Sequence, residues 1–170
     1  MKYFLLVGLF VLNLISFAQD SSLVPLKRNI VFTEYAVKEA YFSLNYEHIF
    51  SLGRRMCWSY RVGAFIGKDA VAVPLGVNAF TASGSHHLEF SLVTTPYIYR
   101  YKTISSQQDL SDKYVYVATT AGYRYQRPRG RLFFKASAGP LLSLDPPSDH
   151  FWRMDPTLFV SAYLSAGIAF

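Results

Sequence analysis

The sequence predicts an all-β protein, an eight-stranded antiparallel up-and-down barrel that crosses a membrane. Three observations predict it. Beyond an N-terminal leader, apolar residues alternate with polar or small ones, which is the period of a strand. The alternating segments number eight, and each runs roughly 8 to 15 residues, around the length a tilted strand needs to cross a bilayer. The last segment, Leu158–Phe170, has one wholly apolar face: Leu158, Val160, Ala162, Leu164, Ala166, Ile168 and Phe170. Its other face is small, hydroxylic or aromatic. Such a strand is a poor sheet edge in a soluble protein. It suits the closing strand of a barrel whose apolar side faces lipid.

The leader comes first. Met1-Lys2-Tyr3 is a short basic start, Phe4–Phe17 is almost wholly apolar, and Ser16-Phe17-Ala18 supplies small residues where a signal peptidase reads. Residues 1–18 are therefore expected to be a secretory signal cleaved after Ala18, since the run is short for a retained membrane helix. No cysteine follows it to carry a lipid anchor. Residues 19–28 read as a periplasmic lead-in and 29–170 as the barrel domain. Losing Lys2 with the leader takes the formal charge from +6 to +5.

The first strand is expected at Asn29–Ala36 and the second at Tyr41–Phe50, where Phe42, Leu44, Tyr46, His48 and Phe50 share a face. Met56–Ile66 follows the turn Ser51–Arg55, with Met56, Trp58, Tyr60, Val62, Ala64 and Ile66 outward. Gly67-Lys68-Asp69 turns the chain into Val71–Phe80. Thr81–Ser85 leads to His87–Tyr101, and a polar loop, Lys102–Asp112, leads to Lys113–Gln126. Arg127–Gly130 is a tight turn into Arg131–Ser143. The loop Leu144–Pro156 ends at the closing strand. Pro74, Pro96 and Pro140 fall inside strands and are expected to mark bulges or strand ends.

Composition agrees. Aromatic residues make up 17% of the chain, and the 13 Tyr and 14 Phe are spread along it, which suits strands. Charged residues are only 16%, against the usual quarter. The single cysteine, Cys57, excludes an internal disulfide and a multi-cysteine metal site, and its strand setting makes it a buried filler. With the N-terminus in the periplasm, the short turns are periplasmic and the two long loops external, the outer-membrane pattern. Phe50, Trp58, Tyr60, Tyr123, Tyr125 and Phe134, with Phe90 and Phe170, then form an aromatic girdle at the periplasmic interface. A soluble lipocalin-like barrel would carry its apolar face inside, whereas here the more apolar face is the outer one.

That arrangement leaves Glu34, Glu47, Arg61, Glu89, Arg124 and Lys135 inside, three acids and three bases. An eight-stranded barrel is only wide enough for side chains to fill it. A paired, hydrogen-bonded network that plugs the lumen is expected, with a small gated pore as the alternative.

These features resemble the small outer-membrane β-barrels of Gram-negative bacteria, the OmpA/OmpX-like type. The runs Tyr41-Phe42-Ser43-Leu44-Asn45-Tyr46-Glu47, Val73-Pro74-Leu75-Gly76-Val77-Asn78 and His86-His87-Leu88-Glu89 are similar to a group of such barrels without assigned activity. The resemblance implies a structural or surface-interaction role. It also implies that the C-terminal strand, through Phe170, Ile168, Ala166 and Leu164, is read by the barrel-assembly machinery.

Expected partners are outer-membrane lipid and lipopolysaccharide around a monomer. Nucleic acid is the wrong partner in that compartment. Arg54, Arg55, Arg127, Arg129 and Arg131 sit in or beside periplasmic turns, where they can meet anionic headgroups or acidic polymer, or remain solvated. Catalysis is not expected. Ser148, Asp149 and His150, with Asp145 and Asp155 nearby, offer the residue types of a lipid-modifying hydrolase, but neighbours on one loop do not naturally present a nucleophile to its base. His86 and His87 point to opposite faces and make a poor metal pair, and His48 reads as an interfacial anchor. No phosphate loop, nucleotide fingerprint or HExxH run is present, and no cofactor is expected.

Overall fold

A computed structural model describes residues 26–102, 109–145 and 155–170. They form a closed antiparallel barrel of nine strand segments: β1 (Asn29–Ala36), β2 (Tyr41–Leu52), β3 (Met56–Ile66), β4 (Ala70–Ala72), β5 (Leu75–Thr81), β6 (His86–Lys102), β7 (Asp109–Gln126), β8 (Leu132–Asp145) and β9 (Asp155–Ala169). Segments β4 and β5 are two halves of one stave, so the barrel has eight. Closure is made by β1, which pairs with β2 on one side and with β9 on the other, from Ile30↔Ala169 to Ala36↔Tyr163. No edge strand remains.

The stave is broken at Val73-Pro74 because proline brings no N–H to the ladder. The register does not change there: Phe65 pairs with Ala72 before the gap and Val62 with Leu75 after it. Val73 and Pro74 still take part, since Val73 N–H donates to the Pro96 carbonyl and Gly63 N–H donates to the Pro74 carbonyl. Pro96 and Pro140 pair on one side, opposite Val115 and Val160, but on the other side the ladder skips them, between Ala72↔Tyr97 and Leu75↔Thr94 and between Ala118↔Leu141 and Ala121↔Ala138. The prolines therefore mark ladder interruptions and, at Pro74, a strand end, as one of the two expected outcomes, but no bulge. The register shift falls between Ile49 and Ser51 on β2, where Phe50 is the extra residue.

The bounds expected for the two long loops are also corrected. The β6–β7 ladder continues to Lys102↔Asp109, and the β8–β9 ladder to Asp145↔Asp155. Polar residues there do not prevent strand pairing, because the ladder is made by the main chain.

The pleat sorts side chains as the alternation requires. Ile66, Val160, Leu158 and Phe42 are 80%, 78%, 69% and 65% exposed on the outer surface. Glu47, Arg124 and Gln126 are 0% exposed inside. A water-soluble barrel would show the reverse.

Candidate functional site

Inward positions on six strands bring Glu34, Glu47, Arg61, Glu89, Arg124 and Lys135 into one lumen, all buried. They form two clusters. In the first, Arg61 Nη1 and Nη2 donate to Glu34 Oε2 and Oε1, both at 2.7 Å, a fork-to-carboxylate pair. Ser165 Oγ adds a donor to Glu34 Oε2 at 3.0 Å. In the second, Arg124 Nη1 reaches Glu47 Oε1 at 2.6 Å and Glu89 Oε2 at 2.9 Å. Its Nε and Nη2 donate to Gln126 Oε1 at 3.1 and 2.6 Å. Lys135 Nζ lies 2.6 Å from Glu89 Oε1 and donates to Ser91 Oγ.

The pairing is not the one that strand neighbours would give. Arg124 and Lys135 lie directly opposite each other across β7–β8, a like-charge pair that costs stability. Glu89, on β6, offers one oxygen to each and so removes the conflict. Across β2–β3, Glu47 faces Arg61 in register, yet Arg61 bonds Glu34 on β1 and Glu47 bonds Arg124 on β7.

Backbone room matters for this packing. Gly63 faces Asn45 across β2–β3, and a Cβ on Gly63 would fall 2.2 Å from Asn45 Oδ1. The missing side chain lets Asn45 lie across the strand. Asn45 Nδ2 donates to the Ser43 hydroxyl and carbonyl at 2.8 and 3.2 Å.

Towards the chain termini the network rests on an apolar layer of Leu26, Ile30, Phe32, Ile49, Cys57, Phe80, Phe133 and Ala169. Leu26 belongs to the stretch read as a periplasmic lead-in. Its side chain is buried, 6% exposed, and Gln126 Nε2 donates to the Lys27 carbonyl at 2.8 Å. The Arg124 guanidinium lies 3.9 Å from the Phe80 ring and 5.0 Å from Phe133, so the charge meets π-faces on this side. At the other end the lumen is lined by Tyr41, Tyr163, Ala72, Ala118 and Leu141, with Tyr97 and Tyr116 packed against them. Glu39 folds in from the β1–β2 turn to accept from Ser161 Oγ and Tyr163 OH, both at 2.8 Å. The next residue, Ala40, takes the left-handed conformation (φ 51°) that reverses the chain. Among the described residues, a space between these layers beside Glu34, Arg61 and Lys135 has a volume of about 10 Å³, room for about one water.

Gln126, Ser91, Ser165 and Glu39 join the six charges in this network. The alternation places the first three inside. Nothing in the turn chemistry of Lys38-Glu39-Ala40 marks Glu39 as inward-folding.

The aromatic girdle residues lie on outward positions near the termini. Phe50 stacks on Tyr60 (centroids 6.4 Å apart), and Tyr125 lies 6.4 Å from Phe134. The band is wider than the sequence showed: His48 sits against Tyr60, and His86 against Tyr123 and Tyr125. Tyr46 OH donates to Asn29 Oδ1, and His48 Nδ1 lies 2.8 Å from the same oxygen. Trp58 is exposed in the same band. His87 points inward, its Nδ1 2.5 Å from the Thr81 carbonyl. Leu164, Ile168 and Phe170 are exposed on the outer face. The leader and the Ser148, Asp149, His150 cluster lie outside the described residues.

No family model and no curated protein sequence matches the chain. Among solved structures it is similar to the N-terminal β-barrel domain of Pseudomonas aeruginosa OprF, at 12% identity and a TM-score of 0.52. The match covers 86% of this chain and 100% of that one. At that identity the likeness speaks to the fold alone.

Proposed function

We propose that the chain is an integral outer-membrane barrel with a non-conducting lumen, acting structurally and through the hairpins that extend β6–β7 and β8–β9. The observation that carries this reading is the inversion of the packing. Apolar side chains cover the outside, and a charge-balanced network fills the inside. In water that outer surface would drive aggregation, whereas in a bilayer it is the expected surface. The aromatic band near the termini fits an interfacial girdle, and a closed barrel meets the requirement that every backbone group in lipid be paired. The OmpA/OmpX-like resemblance of the sequence points the same way. On this reading Leu164, Ile168 and Phe170 form the strand presented to the assembly machinery, and the outer surface meets membrane lipid and lipopolysaccharide.

Carbonate extraction of membranes from expressing cells tests the location, together with gel mobility of unboiled and boiled samples. The expected result is a membrane-retained protein whose mobility shifts on boiling. Release into the soluble fraction overturns the proposal. Planar-bilayer recording tests the closed lumen: ion pairs at 2.6–2.9 Å and a void of one water predict no steady conductance. Lipid mass spectrometry of cells carrying Ser148→Ala and His150→Ala variants tests an enzymatic role, for which an unchanged lipid profile is expected.

A further inference from the structure

The charge outside the lumen is distributed unevenly between the two ends of the barrel. The up-and-down order places the start of β1, the end of β9 and the β2–β3, β5–β6 and β7–β8 turns at one rim. That rim carries Lys27, Arg28, Arg54, Arg55, Arg127, Arg129 and Arg131, and no acidic side chain among the described residues. The opposite end mixes Lys38, Lys68, Arg100, Lys102 and Lys113 with Glu39, Asp69, Asp109, Asp112, Asp145 and Asp155. With the lumen neutral, this rim holds seven cations unopposed, while the five cations of the other end are outnumbered by six carboxylates.

The rim is built on a fixed backbone. Gly53 N–H donates to the Met56 carbonyl, Gly130 N–H to Arg127, Ala82 N–H to Arg55 and Ala169 N–H to Arg131, at 2.7–3.1 Å. Six arginine side chains are exposed around it. Arginine presents a planar donor fork that engages phosphate oxygens two at a time.

Its position selects the partner. Arg55 is three residues from Trp58, and Arg131 three from Phe134. At about 3.3 Å per residue along strands tilted roughly 35–45°, the cations stand about 7–8 Å beyond the aromatic band. If aromatic rings settle at the membrane–water interface, that offset puts the guanidinium groups at the level of lipid phosphates. A soluble acidic polymer would not require the cations to follow the girdle around the barrel.

We infer that this rim is a binding surface for anionic phospholipid headgroups, which holds the barrel at a fixed depth and recruits acidic lipid around it. The inference rests on the membrane reading proposed above. It is tested only on protein that has first shown heat-modifiable, carbonate-resistant insertion, so failure of that reading appears before the lipid measurement.

The two tryptophans are Trp58, beside the rim, and Trp152. Replacing Trp152 by Phe leaves Trp58 as the single reporter. The barrel is reconstituted in equal mixtures of phosphatidylcholine and phosphatidylglycerol, with dibrominated chains on one lipid and then on the other. Quenching of Trp58 should report a preference for phosphatidylglycerol of roughly two- to fivefold, the range of an exposed ion pair. It should approach unity in 0.5 M salt, where screening is within a few ångströms. The combined Arg54→Gln, Arg55→Gln, Arg127→Gln, Arg129→Gln, Arg131→Gln variant should lose it, and Lys68→Gln with Arg100→Gln and Lys113→Gln should keep it. A ratio near one in low salt, or a preference insensitive to salt, overturns the inference even if the rim variant fails to insert. So does retention of the protein on isolated cell-wall polymer that depends on the rim arginines without any lipid preference.

Discussion

Arg124→Met is the most informative single change in the lumen. Arg124 is 0% exposed and serves Glu47, Glu89 and Gln126 at once. Methionine keeps the unbranched stem and a favourable contact with Phe80, so the loss is mainly one of charge. The two carboxylates fare differently. Glu89 keeps Lys135 at 2.6 Å and Ser91 at 2.9 Å. Glu47 keeps no partner of its side chain: Oε1 has Arg124, and Oε2 has none among the described residues. The cost of the variant is therefore that of one uncompensated buried carboxylate, about 3–5 kcal/mol. Glu47→Gln in the same chain should recover most of it, because removing both ends of a buried pair is often close to neutral. Glu89→Gln should not, because it would strand Lys135. Urea unfolding of the barrel in vesicles or micelles, followed by tryptophan fluorescence, gives the four free energies of the cycle. If Glu47→Gln destabilises the Arg124→Met background as much as it does the wild type, the assignment of partners is wrong.

Other positions give narrower tests. Gly167 sits between Phe32 on β1 and Phe133 on β8, whose rings meet 5.1 Å apart, and a Cβ there would fall 2.2 Å from the Val31 carbonyl oxygen. Gly167→Val should strain the seam by at least about 1–3 kcal/mol and lower the temperature at which the folded gel band is lost. Removing Phe170, whose main chain bonds Asn29 in both directions, should reduce membrane insertion more than the Asp149→Ala, His150→Ala pair does, as judged by the heat-modifiable fraction. Pro74→Val should leave the fold intact and the unfolding midpoint equal or slightly higher, since the register already runs through the gap.

Much of this barrel is legible in the sequence because the alternation has only two outcomes. Once Trp58 and Val62 are outside, Arg61 must be inside, and so along every strand. Partners across the lumen are a different matter. Glu47 and Arg124 are 77 residues apart on strands that do not adjoin, and no spacing rule joins them. The ends of β6–β9 are not legible for a related reason. On the membrane reading proposed above, alternation is imposed by contact with lipid, and where a hairpin extends beyond it, Lys102 and Asp109 pair through the backbone with no pattern to show it. The burial of Leu26 carries no signal either, because a single apolar residue beside polar ones has no period.

The seam between β1 and β9 joins residue 30 to residue 169. It is a contact between opposite ends of the barrel-forming chain, so it becomes possible only after everything between them has been delivered. A polypeptide lacking β9 would expose the pairing edges of both β1 and β8, and Glu34 would lose Ser165. Local hairpins can form early, but the cylinder cannot close on a fragment. Order of synthesis thereby becomes a completeness check: truncated products remain open sheets with sticky edges, exposed to proteases, and only a full-length chain hides them.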